Sequence, residues 1–352
     1  MIDVVPNGSG PQQLDFTTSA LTAFSEAELD DMHELIRDQE VELLGEGDTD
    51  RAEIADMISG PGARPDLGRA AWIGDRVVAA LFVEIVARRR EVGLDLHVDR
   101  TLADDLQAEV LLRLLLEAER DIGNTLAALD LGDLASEPPD FESERWQVLA
   151  GAFDQDRIVK ELLLDEGFNR VRVFERLRIE DWTDPGAEPA DDAGITIRTA
   201  TDPELGDLHA ILAEAFEDHW GDEVADFEDW WHKTQANPFH ERDRMFLARL
   251  DGEPAGAIVM DGSRRVDGFD YVDFLGVRRS ARGRGVARAM LRHAFAQASA
   301  LGLRGTELDV DSVSPTGADR LYRAMGMHPV RLVDIFMKNI RWRGDGKPGW
   351  SD

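Results

Sequence analysis

The chain of 352 residues has no cysteine. That excludes disulfides, thiolate metal sites and every mechanism built on a thiol nucleophile, and it is mildly in favour of a reducing compartment. Long apolar runs are also missing: no stretch approaches the ~18 residues a membrane-spanning helix needs, and Met1 to Gln13 lacks the basic and apolar regions of a secretory leader. The expectation is a soluble, cytoplasmic protein with no membrane partner. Positive charge is scarce, with 39 Lys plus Arg against 71 Asp plus Glu and a formal net charge of -32. Such a field repels a phosphate backbone, so nucleic acid is not an expected partner, and it attracts small cations. The same balance also describes an ordinary solvated acidic surface, and the rarity of lysine beside arginine supports that compositional reading. The eight histidines form no i, i+4 pair and no Asp/Glu/His cluster has ligand spacing, so no metal is expected. Tyrosine occurs twice, both times in the second half.

What is present reads as two domains, since roughly 100 to 200 residues per domain is usual. Apolar periodicity breaks at Asp181 to Gly194, where Pro, Gly, Ala and acids take over, which marks residues 181–194 as an acidic linker. Downstream, Ile195 to Ile197 reads as a strand, Asp202 to Trp220 as an amphipathic helix and Ala225 to Lys233 as a second helix. Met245 to Leu250 and Ala255 to Met260 are strands joined through Asp251-Gly252, a hairpin signal. Phe269 to Val277 is a strand, Val286 to Ala300 a helix, Thr306 to Val310 a strand, Thr316 to Met325 a helix and Pro329 to Lys338 a last strand. The class is mixed α/β. The first half repeats this order more weakly: a hairpin at Ala71 to Val83, a strand at Gly93 to Val98, a helix at Leu102 to Arg120, then Lys160 to Phe168 and Val171 to Leu177 in place of the last helix and strand. Four elements in one order point to duplication. The surplus, Leu134 to Phe153, reads as a loop insertion. The expected organisation is a first domain over 1–180, the linker, a second domain over 195–340 and a tail at 341–352.

One segment departs from the acidic background. No acid lies between Phe274 and Thr306, while Arg278, Arg279, Arg282, Arg284, Arg288, Arg292 and Arg304 all do. A strand ends at Val277, the turn Arg282-Gly283-Arg284-Gly285-Val286-Ala287 follows, and a helix begins at once. Glycines admit close backbone approach, and the free N–H groups of a first helical turn bind anions with the help of the helix dipole. The bland alternative is a tight strand-to-helix turn.

The run VRRSARGRGVARAML resembles the acyl-CoA loop of the GNAT superfamily of N-acetyltransferases, with Arg282, Gly285 and Ala287 meeting its R/Q-x-x-G-x-G/A pattern. The run LDVDSVSPTGADRLYRAMGM resembles the second motif of that family, and the match covers about Ile195 to Ile340. The tandem layout resembles the two-domain members that include mycothiol synthase, in architecture alone. The resemblance implies two tandem GNAT-like domains, each a mixed, mostly antiparallel splayed sheet flanked by helices. It further implies acetyl-CoA as co-substrate, held by the strand around Leu275 and Val277 and by Arg282, Gly283, Arg284, Gly285, Val286, Ala287 and Arg288. The partner it implies is a small-molecule primary amine, with the chain a monomer or homodimer.

Tyr322 stands four residues before Gly326, where the family usually places a tyrosine near the sulfur; the alternative is a buried helix aromatic. The strand position at which many relatives carry a glutamate aligns with Tyr271. Alternation puts Asp273 on the face of Tyr271 and Asp270 on the other, which makes Asp273 the candidate base. Met327 replaces the common phenylalanine, a packing change. His219 and Trp220 are candidate substrate contacts within an aromatic cluster that otherwise reads as core. In the first half Asp99-Arg100-Thr101-Leu102-Ala103-Asp104-Asp105 replaces the glycine turn, with carboxylates that would repel a pyrophosphate, and Leu163 replaces Tyr322. The first domain is therefore expected to be degenerate and the second to transfer acetyl groups to an amine by direct attack. The competing expectation is an acyl-CoA-binding regulatory or scaffold protein without turnover. A dehydrogenase and a serine hydrolase lack the required glycine spacing and nucleophile elbow.

Overall fold

The computed structural model describes residues 15–22, 25–47, 49–133, 146–180, 194–217, 224, 226–312, 317–342 and 348–350. Two compact units result, residues 1–172 with 333–352, and residues 173–332.

Unit 1 runs β1 (Thr17–Ala20), α1 (Glu26–Leu44), α2 (Arg51–Ser59), β2 (Arg69–Ile73), β3 (Arg76–Val86), β4 (Glu91–Val98), α3 (Asp104–Asp133), β5 (Trp146–Phe153) and α4 (Arg157–Asp165). Reciprocal capping boxes start its first two helices, Ser25 with Glu28 and Asp50 with Glu53, each satisfying otherwise orphaned N–H groups. Its strands lie in the order β1-β2-β3-β4-β5, and only β4 and β5 run parallel.

The strand β6 (Asn169–Glu180) leads towards unit 2, which continues with β7 (Ile195–Thr199), α5 (Leu205–Phe216), α6 (Phe227–Ala236), β8 (Met245–Leu250), β9 (Glu253–Asp261), β10 (Phe269–Val277), α7 (Val286–Ala300), β11 (Gly305–Asp311) and α8 (Ala318–Ala324). The chain ends in β12 (His328–Trp342) and β13 (Pro348–Trp350). Unit 2 has the strand order β7-β8-β9-β10-β11-β6, again with one parallel pair, β10 with β11. The mixed α/β class and the duplicated element order hold. The Asp251-Gly252 hairpin forms as read, with both residues at positive φ.

Two findings differ from the sequence reading. Trp146 to Phe153 is no loop but the strand β5, whose Trp146, Val148, Ala150 and Ala152 are buried in alternation; residues 134–145 lie outside the described ones. The second difference concerns how each sheet closes. Boundaries drawn along the chain keep each half's elements together, whereas pairing gives Phe174 to Glu180 of β6 to β11 of unit 2, and Val333 to Ile340 of β12 to β5 of unit 1. Each half of the sequence thus supplies the other unit's closing strand.

Unit 2 has an apolar layer on either face of its sheet. Val286, Met290, Leu291, Ala294 and Phe295 of α7 pack with Ile258, Met260, Val272, Leu308 and Leu177. On the other face Leu208, Ile211 and Leu212 of α5 and Trp230 of α6 cover Leu247, Ala257 and Val259. The parallel pairing of β10 with β11 stops after Phe269–Tyr271 against Gly305–Glu307. Beyond it β10 continues with β9 alone, β11 continues with β6 alone, and the two diverge.

A fragment beginning at Gly194 lacks β6, leaves the β11 edge unpaired and removes Leu177 from the core. It is expected to aggregate or to lose cooperative thermal unfolding by circular dichroism, whereas an intact chain cut once within 181–193 at an engineered protease site retains the parent transition.

Candidate active site

Where β10 and β11 part, the β10–β9 register slips between Val272 and Phe274, which makes Asp273 the extra residue of a β-bulge. Up to that point alternation holds. Asp270 and Val272 face α7, and Asp270 is fully buried between Arg244 and Arg265. Asp273 lies on the other face, where its Oδ2 is 2.9 Å from His240 Nε2. The bulge then turns Phe274 to that same face, against Phe216 of α5 at 5.8 Å between ring centroids.

His240 follows α6 and is the residue the sequence reading passed over. Its side chain is 8% exposed, while that of Asp273 is 29% exposed, so the carboxylate is the accessible member of the pair. A second acid, Asp261, stands 3.4 Å from the same Nε2. It is already engaged, accepting from Asn237 Nδ2 at 3.1 Å and from the Ser263 amide at 2.7 Å. Burial opposes a charge on His240, but the hydrogen bond and field of Asp273, the field of Asp261 and the Thr234 carbonyl outweigh it and lift its pKa above the ordinary imidazole value.

The other acids near the split are held in ion pairs. Glu307, with no exposed side-chain surface, lies 2.6 Å from Arg178, and Asp309 accepts from Arg176 Nε and a second guanidinium nitrogen at 2.9 and 3.0 Å. Tyr271, at the strand position where a glutamate was sought, hydrogen-bonds Asp309. Burial first, then the Asp309 charge, push its phenol well above the usual range despite the opposing field of Arg176, so it is no base.

On the α7 face, Tyr322 of α8 is 8% exposed and burial raises its pKa to about 12. It packs in the cluster that contains Val272, Val286 and Leu308, with Leu275 and Val277 partly buried against it. Tyr322 and Asp273 therefore flank the split from opposite faces. Met327 is buried in the same cluster, as a packing residue should be.

The glycine turn follows β10 through a single 3₁₀ turn, Arg279–Ala281. Gly283 and Gly285 have φ of +75° and +85°, left-handed backbone that strains any residue with a Cβ. Gly285 caps α7, whose first turn has no side-chain cap and no acid. The amides of Val286, Ala287 and Arg288 precede the first intrahelical bond, Ala289 N to Gly285 O at 3.0 Å, and so point free N–H groups out of the helix start. The arginines divide into two groups. Arg278, Arg279 and Arg284 pair with Glu214, Glu217 and Asp251 at 3.0, 2.8 and 2.9 Å. Arg282 and Arg288 are exposed beside the turn, and Arg282 Nε donates to the Val277 carbonyl at 3.3 Å. His219 and Trp220 lie outside the described residues. Among the described residues no cluster could hold a metal ion, and no helix is long and apolar enough to cross a membrane.

In unit 1 the corresponding strand end is filled by side chains. Gln39, 2% exposed, accepts from the Val98 amide at 3.1 Å, and Asp156, 1% exposed, binds Arg100 at 3.1 Å and Gln39 at 3.3 Å. Leu163, in the place of Tyr322, is fully buried.

Comparison with known proteins places these features. Residues 205–327 match the acetyltransferase (GNAT) family. The whole chain is similar in fold to a GCN5-related N-acetyltransferase from Sphaerobacter thermophilus, at TM-score 0.73 and 22% identity over 95% of this chain and 96% of that one. It is also similar to a tandem GNAT protein from the clavulanic acid biosynthesis pathway, at TM-score 0.65 and 13% identity over 92% and 98%. No curated protein matches the sequence.

The raised pKa of His240 has a stability consequence. A group whose folded pKa exceeds its unfolded value, about 6.5 for His, contributes stability that is fully present below that value and fades as pH rises through the folded pKa. Thermal melts are expected to show this loss above about pH 6.5, and Asp273→Asn should remove it. NMR titration of the His240 ring in that variant should give a lower pKa than in the parent.

Proposed function

We propose that this chain, whose residues 205–327 match the acetyltransferase (GNAT) family and whose fold is similar to that of a tandem GNAT protein, moves an acetyl group from acetyl-CoA to a primary amine of a small molecule, with unit 2 active and unit 1 catalytically silent. The observation that carries the reading is the uncapped, acid-free start of α7 beside the half of β10 that β11 leaves unpaired. Pyrophosphate oxygens suit the amides of Val286, Ala287 and Arg288 and the exposed Arg282 and Arg288. Pantetheine suits the open backbone of β10 around Leu275 and Val277. Arg284, tied to Asp251, would have to exchange one anion for another.

The reaction joins the amine nitrogen to the thioester carbonyl carbon and breaks the carbon–sulfur bond. The amine loses a proton, and we assign its acceptance to the partly exposed Asp273, since Asp309 on the same face is engaged by Arg176. His240 is the positioning residue: its imidazole fixes the carboxylate from behind. Across the split, the Tyr322 phenol keeps its proton at neutral pH, since its pKa is about 12. A thiolate whose conjugate thiol has a pKa of ~8.5 is a weaker base than tyrosinate, so the phenol keeps its proton and stabilises the departing thiolate through a hydrogen bond, and solvent completes its protonation. The acidic net charge favours the approach of a cationic acceptor, which must then shed a proton before attack.

Calorimetry is expected to find one acetyl-CoA site per chain; two equivalent sites would overturn the assignment of a silent unit 1. Gly285→Val should weaken that binding by straining the turn. Tyr322→Phe should lower kcat at least ~10-fold with acetyl-CoA affinity little changed, because the hydroxyl acts on the transition state. Asp273→Asn should instead alter the acidic limb of the pH–rate profile. If acetyl-CoA binds but no primary amine in a broad thiol-release screen is acetylated, the regulatory reading replaces this one.

A further inference from the structure

The extra residue of a bulge has no fixed place in the pleat, so the aim of Asp273 depends on what its side chain meets. It meets His240, and the ring of His240 is fixed in turn by the acid that ends β9. Asp261 is the cross-strand partner of Tyr271 and is 7% exposed. Its Oδ1 accepts from the Ser263 amide at 2.7 Å and its Oδ2 from Asn237 Nδ2 at 3.1 Å. Asn237 caps α6, its amide donating to the Lys233 carbonyl at 3.1 Å, while its own Oδ1 accepts from the Phe239 amide at 2.9 Å. The Phe239 carbonyl accepts from Gly262 at 3.0 Å. The segment from Asn237 to His240 is thus laced to the end of β9, and one of the laces is the Asp261 carboxylate.

That carboxylate also reaches the ring. His240 Nε2 lies 2.9 Å from Asp273 Oδ2 and 3.4 Å from Asp261 Oδ2, with the Thr234 carbonyl of α6 acting on the same imidazole. Two consequences follow from one nitrogen facing two carboxylates. The proton is kept on Nε2, so the ring donates towards Asp273. An imidazolium acting alone would also lower the proton affinity of Asp273 and make it a poorer base; the charge of Asp261 beside the same nitrogen offsets that effect.

We propose that Asp261 is a further positioning residue of the acceptor side: it holds the His240 N–H on Asp273 and offsets the imidazolium charge, so that Asp273 remains an effective proton acceptor. The proton that leaves the attacking amine ends on the Asp273 carboxylate. His240 keeps its own, and none passes to Asp261. The proposal rests on the acetyl-transfer reading with Asp273 as the acceptor.

The test compares kcat against pH for the parent and Asp261→Asn, with one amine found by the thiol-release screen. The amine's own ionisation enters both profiles alike. In the variant the acidic limb is expected ~1 unit lower, the size of effect that one removed charge has at this range in a partly exposed site. Its plateau should also be lower, with acetyl-CoA affinity by calorimetry unchanged, and NMR titration should give a lower His240 pKa. Asp261→Ser, which keeps an acceptor for the Ser263 amide, carries the same expectations should the Asn variant fold poorly. Asn237→Ala breaks a lace but leaves both charges, so it should lower Tm and leave the acidic limb in place. The proposal is overturned if the limb and the ring pKa stay put in the Asp261 variants, or if Asn237→Ala moves the limb as far, which would make Asp261 a structural acid only. A parent that acetylates no amine defeats the transfer reading and this one with it, whereas an active parent whose limb Asp261→Asn does not move defeats this one alone.

Discussion

Parallel pairing between β10 and β11 lasts only from Phe269 to Tyr271, and the site depends on where it ends. A parallel pair normally continues because each backbone N–H and C=O needs a partner. Here β11 finds its continuation in β6, while the bulge at Asp273 turns β10 away. The result is a wedge whose walls carry unused backbone groups on one strand, with a helix start at its mouth. That geometry can receive an extended polar chain ending in phosphates, which is what a coenzyme A thioester presents.

Below the wedge, ion pairs hold the strands where they separate. Arg178 with Glu307 and Arg244 with Asp270 are buried, and each acid meets a second arginine, Arg264 or Arg265. Buried pairs of this kind contribute little net stability because desolvation offsets their attraction. Their effect is positional: with these carboxylates paired inside, Asp273 stays partly exposed at the split, beside the imidazole of His240. The surface charge of -32 and the interior pairing therefore act at different ranges, one drawing cations inward and the other deciding which carboxylate meets them.

Duplication explains how the two units differ at the same strand end. Unit 1 retains the frame, including the hairpin bulge, yet Gln39, Arg100 and Asp156 satisfy at its strand end the groups that unit 2 leaves open. A polar group already paired inside the fold gains little from a ligand. The exchange of closing strands ties the halves together, since neither sheet is complete without a strand encoded in the other half.

The sequence by itself determined the elements and the glycine turn before α7, because these rest on local rules. Asp251-Gly252 dictates its hairpin, and an arginine-rich, acid-free glycine turn before an apolar-periodic helix needs no distant contact to be recognised. Alternation also placed Tyr271 and Asp273 on one face, since a single residue, Val272, separates them. Pairing was beyond it: which strand closes each sheet depends on contacts between residues more than a hundred positions apart, such as Leu177 with Leu308. Trp146 to Phe153 passed for a loop because, after Trp146 and Val148, its inward positions are only Ala150 and Ala152, a weak alternation that follows a polar stretch. His240 gave no local signal, being a single histidine after a Pro-containing turn, and only the register of β9 and β10 brings it to Asp273 and Asp261. The tertiary structure alone decided the upward shift of the His240 pKa, because a histidine pKa follows from burial and from neighbouring charge, and neither is written in the order of residues along the chain.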